Sequence, residues 1–208
     1  MIETIRMLKY GGAVMIPIGI CSLAALAIIL ERAFALRRSK VLAPKVLALV
    51  ETYNGSTPDE AALMACRRAK GAFARIIETV LKTRRLDHAQ AIETMHATGR
   101  TEVGALERGL TALEIVAGIS PLLGLLGTVL GMVNVFDAIT VGGLGNPQTL
   151  SSGISKALVT TVAGLVVAIP ALAFHSWFSR RVDDLAAEMQ DRATAFLVQL
   201  QGQERVQH

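Results

Sequence analysis

The chain has 208 residues, of which 52% are hydrophobic and only 18% charged, and its net charge is +4. That charged fraction is too low for an ordinary water-soluble domain, where about a quarter of residues carry charge. Two cysteines, Cys21 and Cys66, make no disulfide framework, and no C-x-x-C pair or Cys/His cluster offers a metal site.

Residues 1–10 interleave Ile2, Ile5, Met7 and Leu8 with Glu3, Arg6 and Lys9, which predicts a short amphipathic helix lying on a membrane surface. The first charge-free run, Gly11–Leu30, is 20 residues long. About 20 residues at roughly 1.5 Å each cross a hydrocarbon core, and a signal-peptide core is shorter, about 7–15 residues. Residues 11–31 are therefore expected to be a retained transmembrane helix, with Cys21 a small apolar residue within it.

Residues 32–109 are polar and helical in pattern. Thr57-Pro58-Asp59-Glu60 is a capping box with proline at the first helical position. Ala61, Leu63, Met64, Ala65, Ala69, Phe73, Ile76, Ile77 and Leu81 then recur at helical spacing as far as Arg84-Arg85. Cys66 reads as a spare thiol in this stretch. Asp87 is placed to cap a second helix that nothing forces to break before Ala138, although Gly99, Gly104 and Gly109 weaken it and Pro121 predicts a kink.

That helix carries the second charge-free run, Ile115–Phe136, inside an expected span at 110–139. Residues 140–153 are rich in turn chemistry (Gly142, Gly143, Gly145 and Asn146-Pro147). They predict a short loop, so the second and third spans are antiparallel neighbours. The third span is expected at 154–179, around the run Ala157–Ser179, and 180–208 form a terminal helix or tail.

Lys and Arg orient these spans. Residues 31–110 hold 14 of the 21, residues 180–208 hold four, and 140–155 hold none. The positive-inside rule puts 32–109 and the C-terminus in the cytoplasm, and the N-terminus and the 140–153 loop outside. The fold class is an all-α membrane protein with three transmembrane helices, the N-terminus outside, and a long helical cytoplasmic extension.

Two spans carry small residues and hydroxyls along one side. In the second, Gly124, Gly127, Thr128 and Gly131 cluster, with Gly127 and Gly131 a GxxxG pair suited to close helix approach in lipid. In the third, Ala157, Thr160, Thr161, Gly164, Ala168, Ala171 and His175 share a stripe opposite Leu158, Val162, Leu165, Val166 and Ile169. The glycines read as packing positions. A threonine hydroxyl can either bond back to its own helix or line a polar path. His175, near the cytoplasmic end, reads as an interfacial histidine rather than a proton relay. Lys156 opens the third span as a charge at the mouth of any such path, free also to reach the interface. Glu114 and Asp137 read as helix-end charges.

No nucleophile–base set, phosphate loop, dinucleotide fingerprint or metal motif appears. The expectation is therefore a non-enzyme with no cofactor and no nucleic-acid partner. No carboxylate falls at mid-bilayer, so a titratable group for ion movement has to come from another subunit.

Ser120-Pro-Leu-Leu-Gly-Leu-Leu-Gly-Thr-Val-Leu-Gly-Met132 and Gly153-Ile-Ser-Lys-Ala-Leu-Val-Thr-Thr-Val-Ala-Gly-Leu165, the latter followed by Ala168-Ile-Pro170, resemble the paired span signatures of the MotA/TolQ/ExbB proton-channel family. Three spans with the N-terminus outside are similar to ExbB and TolQ rather than to four-span MotA. The resemblance implies an ExbB-like inner-membrane subunit of a proton-motive-force-driven motor that energises TonB-dependent transport. It implies a homopentamer around a single-span ExbD-like partner that supplies a membrane aspartate, with a TonB-like protein beyond. It carries the family's channel threonines to Thr128 and Thr161, with Thr160 adjoining. A TolQ-like envelope-integrity role and a non-conducting scaffold are the alternatives. The departure is Lys156, where ExbB and TolQ usually carry glutamate.

Overall fold

In the computed structural model, which describes residues 12–53, 59–69, 71–142 and 147–207, apolar periodicity becomes helix throughout. Among the described residues seven helices follow in order: α1 (Met15–Ala35), α2 (Arg38–Val41), α3 (Pro44–Thr52), α4 (Asp59–Ala69), α5 (Ala72–Thr83), α6 (His88–Gly142) and α7 (Pro147–Gln207). No strand occurs among the described residues. Three helices are long and apolar enough to cross a membrane, one in each of α1, α6 and α7, and the protein is an all-α membrane protein.

Several expectations meet the structure differently. The amphipathic segment at residues 1–10 and the Thr57-Pro58 cap lie outside the described residues. The single helix expected up to Arg85 is two, α4 and α5, parted at Gly71. A Cβ there would stand 2.9 Å from the Lys40 carbonyl oxygen and 3.1 Å from that of Val41. Gly71 takes extended backbone angles, φ −129° and ψ 163°, as the residue before α5. The chain turns where another backbone comes too close for a side chain, which periodicity does not report. The expected loop 140–153 is helical throughout its described part, because α6 persists to Gly142 and α7 begins at Pro147. Proline suits a helix start, where its missing N–H costs nothing. Asp87 caps α6 as expected, its carboxylate accepting from the Ala89 N–H at 3.2 Å.

The chain divides into two compact units. One comprises Met1–Glu31 with Gly109–Ser176, and the other Arg32–Arg108 with Trp177–His208. The second is a helical bundle with a conventional apolar core. Its central element is α5, in which Phe73, Ile76, Ile77, Val80 and Leu81 are all buried. Val46 of α3, Met95 of α6 and Leu185, Phe196 and Leu197 of α7 belong to the same cluster. Fully burying each large apolar side chain contributes roughly 1.5–3 kcal/mol. Tyr53 meets Phe196 edge-on, centroids 5.4 Å apart.

Cys66, read from the sequence as a spare thiol, is part of this core: it is 2% exposed. Burial, with Glu78 nearby, pushes its thiol up to about 11, so it stays protonated and inert at neutral pH.

Ion pairs clasp the outside of the bundle. Arg75 of α5 forks onto Glu102 of α6. Arg38 of α2 forks onto Glu188 of α7, and Arg192 joins Glu188 at 3.1 Å and Glu51 of α3 at 3.2 Å. Glu78 takes Lys82 at 2.8 Å and Arg67 at 3.0 Å. Hydrogen bonding from Arg38, reinforced by Arg192, holds the Glu188 carboxyl below the usual carboxylate range, and Lys82 and Arg67 do the same for Glu78.

A carboxyl lowered in the folded state contributes stability above its unfolded value and loses it as pH falls through the folded value. The thermal midpoint of the purified chain is therefore expected to hold from pH 8 to about 5 and to fall below about pH 4. An E78Q/E188Q double variant should start lower and show a shallower acid decline, read by circular-dichroism melts across pH.

Candidate functional site

The site sits in the first unit, where the apolar parts of α6 and α7 pack together as an antiparallel pair. On α6 the covered side runs through Leu113, Ala117, Ser120, Gly124, Gly127 and Val135; on α7 it runs through Ala157, Thr160, Gly164, Ala168 and Ala171. Steps of three and four keep each set on one face. Almost every member is small, so the backbones approach closely.

The glycines show how close. A Cβ on Gly131 would lie 2.8 Å from the Cβ of Ala157. One on Gly124 would lie 2.9 Å from the Thr160 carbonyl oxygen and 3.0 Å from the Thr161 Cα. One on Gly164 would lie 2.5 Å from the Ser120 carbonyl oxygen and 3.2 Å from the Gly124 Cα, and one on Gly127 would collide with the Thr160 side chain. Gly124, Gly127, Gly131 and Gly164 all stand where the facing helix leaves no room for a side chain. In lipid there is no hydrophobic drive between helices, and such contact is what holds them.

The three threonines separate. Thr160, expected beside a lumen, is 1% exposed and seated against Gly127. Its hydroxyl donates to the Ala157 carbonyl at 2.7 Å. It is a packing residue of this helix pair. Thr161, one residue on, turns to the edge of the contact and stays half-buried, donating to the Gly124 carbonyl at 3.1 Å. Thr128 is one turn beyond Gly124 on α6, also half-buried, and donates to the Leu125 carbonyl at 2.6 Å. Because Thr161 reaches α6 at Gly124, one turn from Thr128, both hydroxyls belong to the same flank of the pair. A hydroxyl has one proton and two lone pairs. Each proton is already given to a carbonyl, so both oxygens are left as acceptors toward that flank.

Lys156 is exposed and has no ion-pair partner among the described residues. Five residues separate it from Thr161, which is about 140° around an ideal helix, so the two do not share a side. Asp137 is exposed too. The bulky residues of both helices point outward, with Leu122 63%, Leu158 60%, Val166 64% and Ile169 65% exposed, as lipid-facing or partner-facing residues are.

Sequence reasoning missed two features. Ser120 is wholly buried, donates to the Val116 carbonyl at 2.7 Å and carries the backbone against which Gly164 rests; its place one turn before Gly124 was the available signal. Glu114 of α6 and His175 of α7 come together, Oε2 to Nε2, at 3.9 Å. No metal-ligand cluster occurs among the described residues.

Comparison with known proteins bears on these same elements. A model of the MotA/TolQ/ExbB proton channel family matches residues 68–191, which contain the apolar parts of both helices. The chain belongs to this family. It is 33% identical over 170 residues to an ExbB-like protein of Synechocystis, covering 81% of each. It is 30% identical over 184 residues to a biopolymer transport protein ExbB homolog of Methanothermobacter thermautotrophicus, covering 86% of this chain and 64% of that protein. With the biopolymer transport protein exbB1 of Vibrio cholerae it shares 42% identity over 84 residues, 39% of this chain and 36% of that one. It thus spans less than two thirds of the length of two of these three relatives.

The tight seam makes a direct prediction for this family member. Gly164→Val places a side chain against the Ser120 carbonyl and should cost about 1–3 kcal/mol or more through overpacking. Gly118→Ala, where nothing lies within 4 Å of the added Cβ, should leave the protein unchanged. Thermal stability and size-exclusion profiles in detergent separate the two outcomes.

Proposed function

We propose that the chain is an ExbB-like subunit of a proton-motive-force-driven complex in a bacterial inner membrane, with its N-terminus outside and its C-terminus in the cytoplasm. In this reading several copies, a homopentamer by resemblance, surround an ExbD-like single-span partner. The assembly energises a TonB-like protein for transport across an outer membrane. The observation that carries the reading is the shared flank of Thr128 and Thr161. Both hydroxyls have committed their protons to backbone carbonyls and keep lone pairs free on the same side of the helix pair.

Such acceptors suit a protonated carboxyl or a water arriving from a partner helix. The apolar parts of α6 and α7 between Glu114 and His175 at one end and Asp137 and Lys156 at the other contain no ionisable side chain. A lumen lined by them can solvate a proton without binding it permanently, and the group that loads and unloads it belongs to the partner. Membrane-embedded ionisable groups are costly and mark such pathways. Lys156 adds a fixed positive charge near the α6–α7 turn, where the family usually carries glutamate, and would lower the local concentration of cations at that end.

Alanine at Thr128 together with Thr161 should leave the complex assembled and reduce proton flux to background in liposomes containing the chain and its single-span partner. Assembly is read by size exclusion, flux by a pH-sensitive dye. Wild-type flux from an intact double variant would remove the reading.

A further inference from the structure

The second polar feature of the helix pair is the meeting of His175 and Glu114. Sequence makes it conspicuous. Between Lys156 and Arg180, His175 is the only titratable side chain of α7, and between Arg108 and Asp137, Glu114 is the only one of α6. The fold brings these two to 3.9 Å. The His175 side chain is 21% exposed and that of Glu114 66%, so most of the imidazole is covered while the carboxylate reaches outward.

Their placement relative to the threonines is not arbitrary. His175 follows Thr161 by 14 residues, and Glu114 precedes Thr128 by 14 residues. Fourteen residues make just under four turns of helix and about 21 Å of rise. Each member of the histidine–glutamate pair therefore returns to nearly the same side of its helix as the threonine above it. One flank of the pair thus carries the two hydroxyl acceptors midway along its length and one titratable pair at the end remote from the α6–α7 turn. Between these two stations it has only apolar and glycine positions.

We propose that His175, with Glu114 as its counter-ion, is the proton-release station of this flank, at the end remote from the α6–α7 turn. The assignment rests on the channel reading above and adds a site to it. A proton leaving the threonine level through water binds Nε2 of the neutral imidazole, giving an imidazolium whose charge the Glu114 carboxylate offsets. The same proton then passes to bulk water, and the neutral ring is restored. No other co-reactant enters. Imidazole is the side chain suited to bind and release a proton near neutral pH, and an ionisable pair at the edge of an apolar membrane run is costly to keep without such use. Glu114 from α6 is the charged group that faces it, at 3.9 Å; along α7 the nearest charges in sequence are Arg180 and Arg181.

The test uses the complex purified with its partner and reconstituted in dye-loaded liposomes, with flux recorded from pH 5.5 to 8. H175Q should lower flux at least about tenfold, the scale of a lost proton-transfer group, and flatten its pH dependence. E114Q should lower flux by a smaller factor than H175Q and change its dependence on pH, because the imidazolium then forms without a nearby opposite charge. A merely structural contact would not move that profile. Size exclusion confirms that both variants assemble. Wild-type rate and profile in H175Q, with flux still abolished in T128A/T161A, would overturn the release station and leave the channel standing. Wild-type flux in T128A/T161A as well would remove both.

Discussion

The close approach of α6 and α7 at their glycines and small residues is the constraint on which the rest depends. Gly124 and Gly164 lie where an added Cβ would strike the facing backbone. That spacing fixes the register of the two helices to within a residue, and the register decides everything polar at the site. It seats Thr160 inside, brings the Thr161 hydroxyl to the Gly124 carbonyl, and sets His175 across from Glu114. In lipid, where apolar side chains gain nothing by leaving one greasy surface for another, contact and hydrogen bonding carry the association. A seam of glycine, alanine and serine maximises both.

The two compact units are stabilised by different physics although α6 and α7 contribute to each. The bundle built around α5 buries Phe73, Ile77, Val80, Phe196 and Leu197 and surrounds them with ion pairs. It is an ordinary hydrophobic core, driven by water, and its exposed ion pairs contribute modestly. The other unit exposes its large side chains and buries its small ones, the reverse pattern. The family match spans both units: residues 68–191 take in the whole seam and much of the bundle.

The split between adjacent threonines shows how one residue of helical rotation changes a role. Thr160 and Thr161 have the same chemistry and both donate to carbonyls of the helix pair. One is enclosed against Gly127, and the other lies at the rim with its lone pairs available. Lys156 shares the side of Thr160 more nearly than that of Thr161, so its charge acts from beside the threonine flank rather than within it.

The sequence alone determined the helical class, the three membrane-length apolar runs, the small-residue stripes and the family, because each is a property of one helix read along its own axis. Charge-free length and a 3.6-residue period need no partner to be legible. Only the tertiary structure decided which hydroxyl is enclosed, that Ser120 supports Gly164, that Cys66 lies in a core, and that α4 and α5 part beside Gly71, where another backbone occupies the space of a side chain. It alone paired Glu114 with His175, which are 61 residues apart in sequence. A helix's period gives the direction of a side chain about its own axis. The register between two helices depends on how their surfaces fit, and no single stretch of sequence contains that fit.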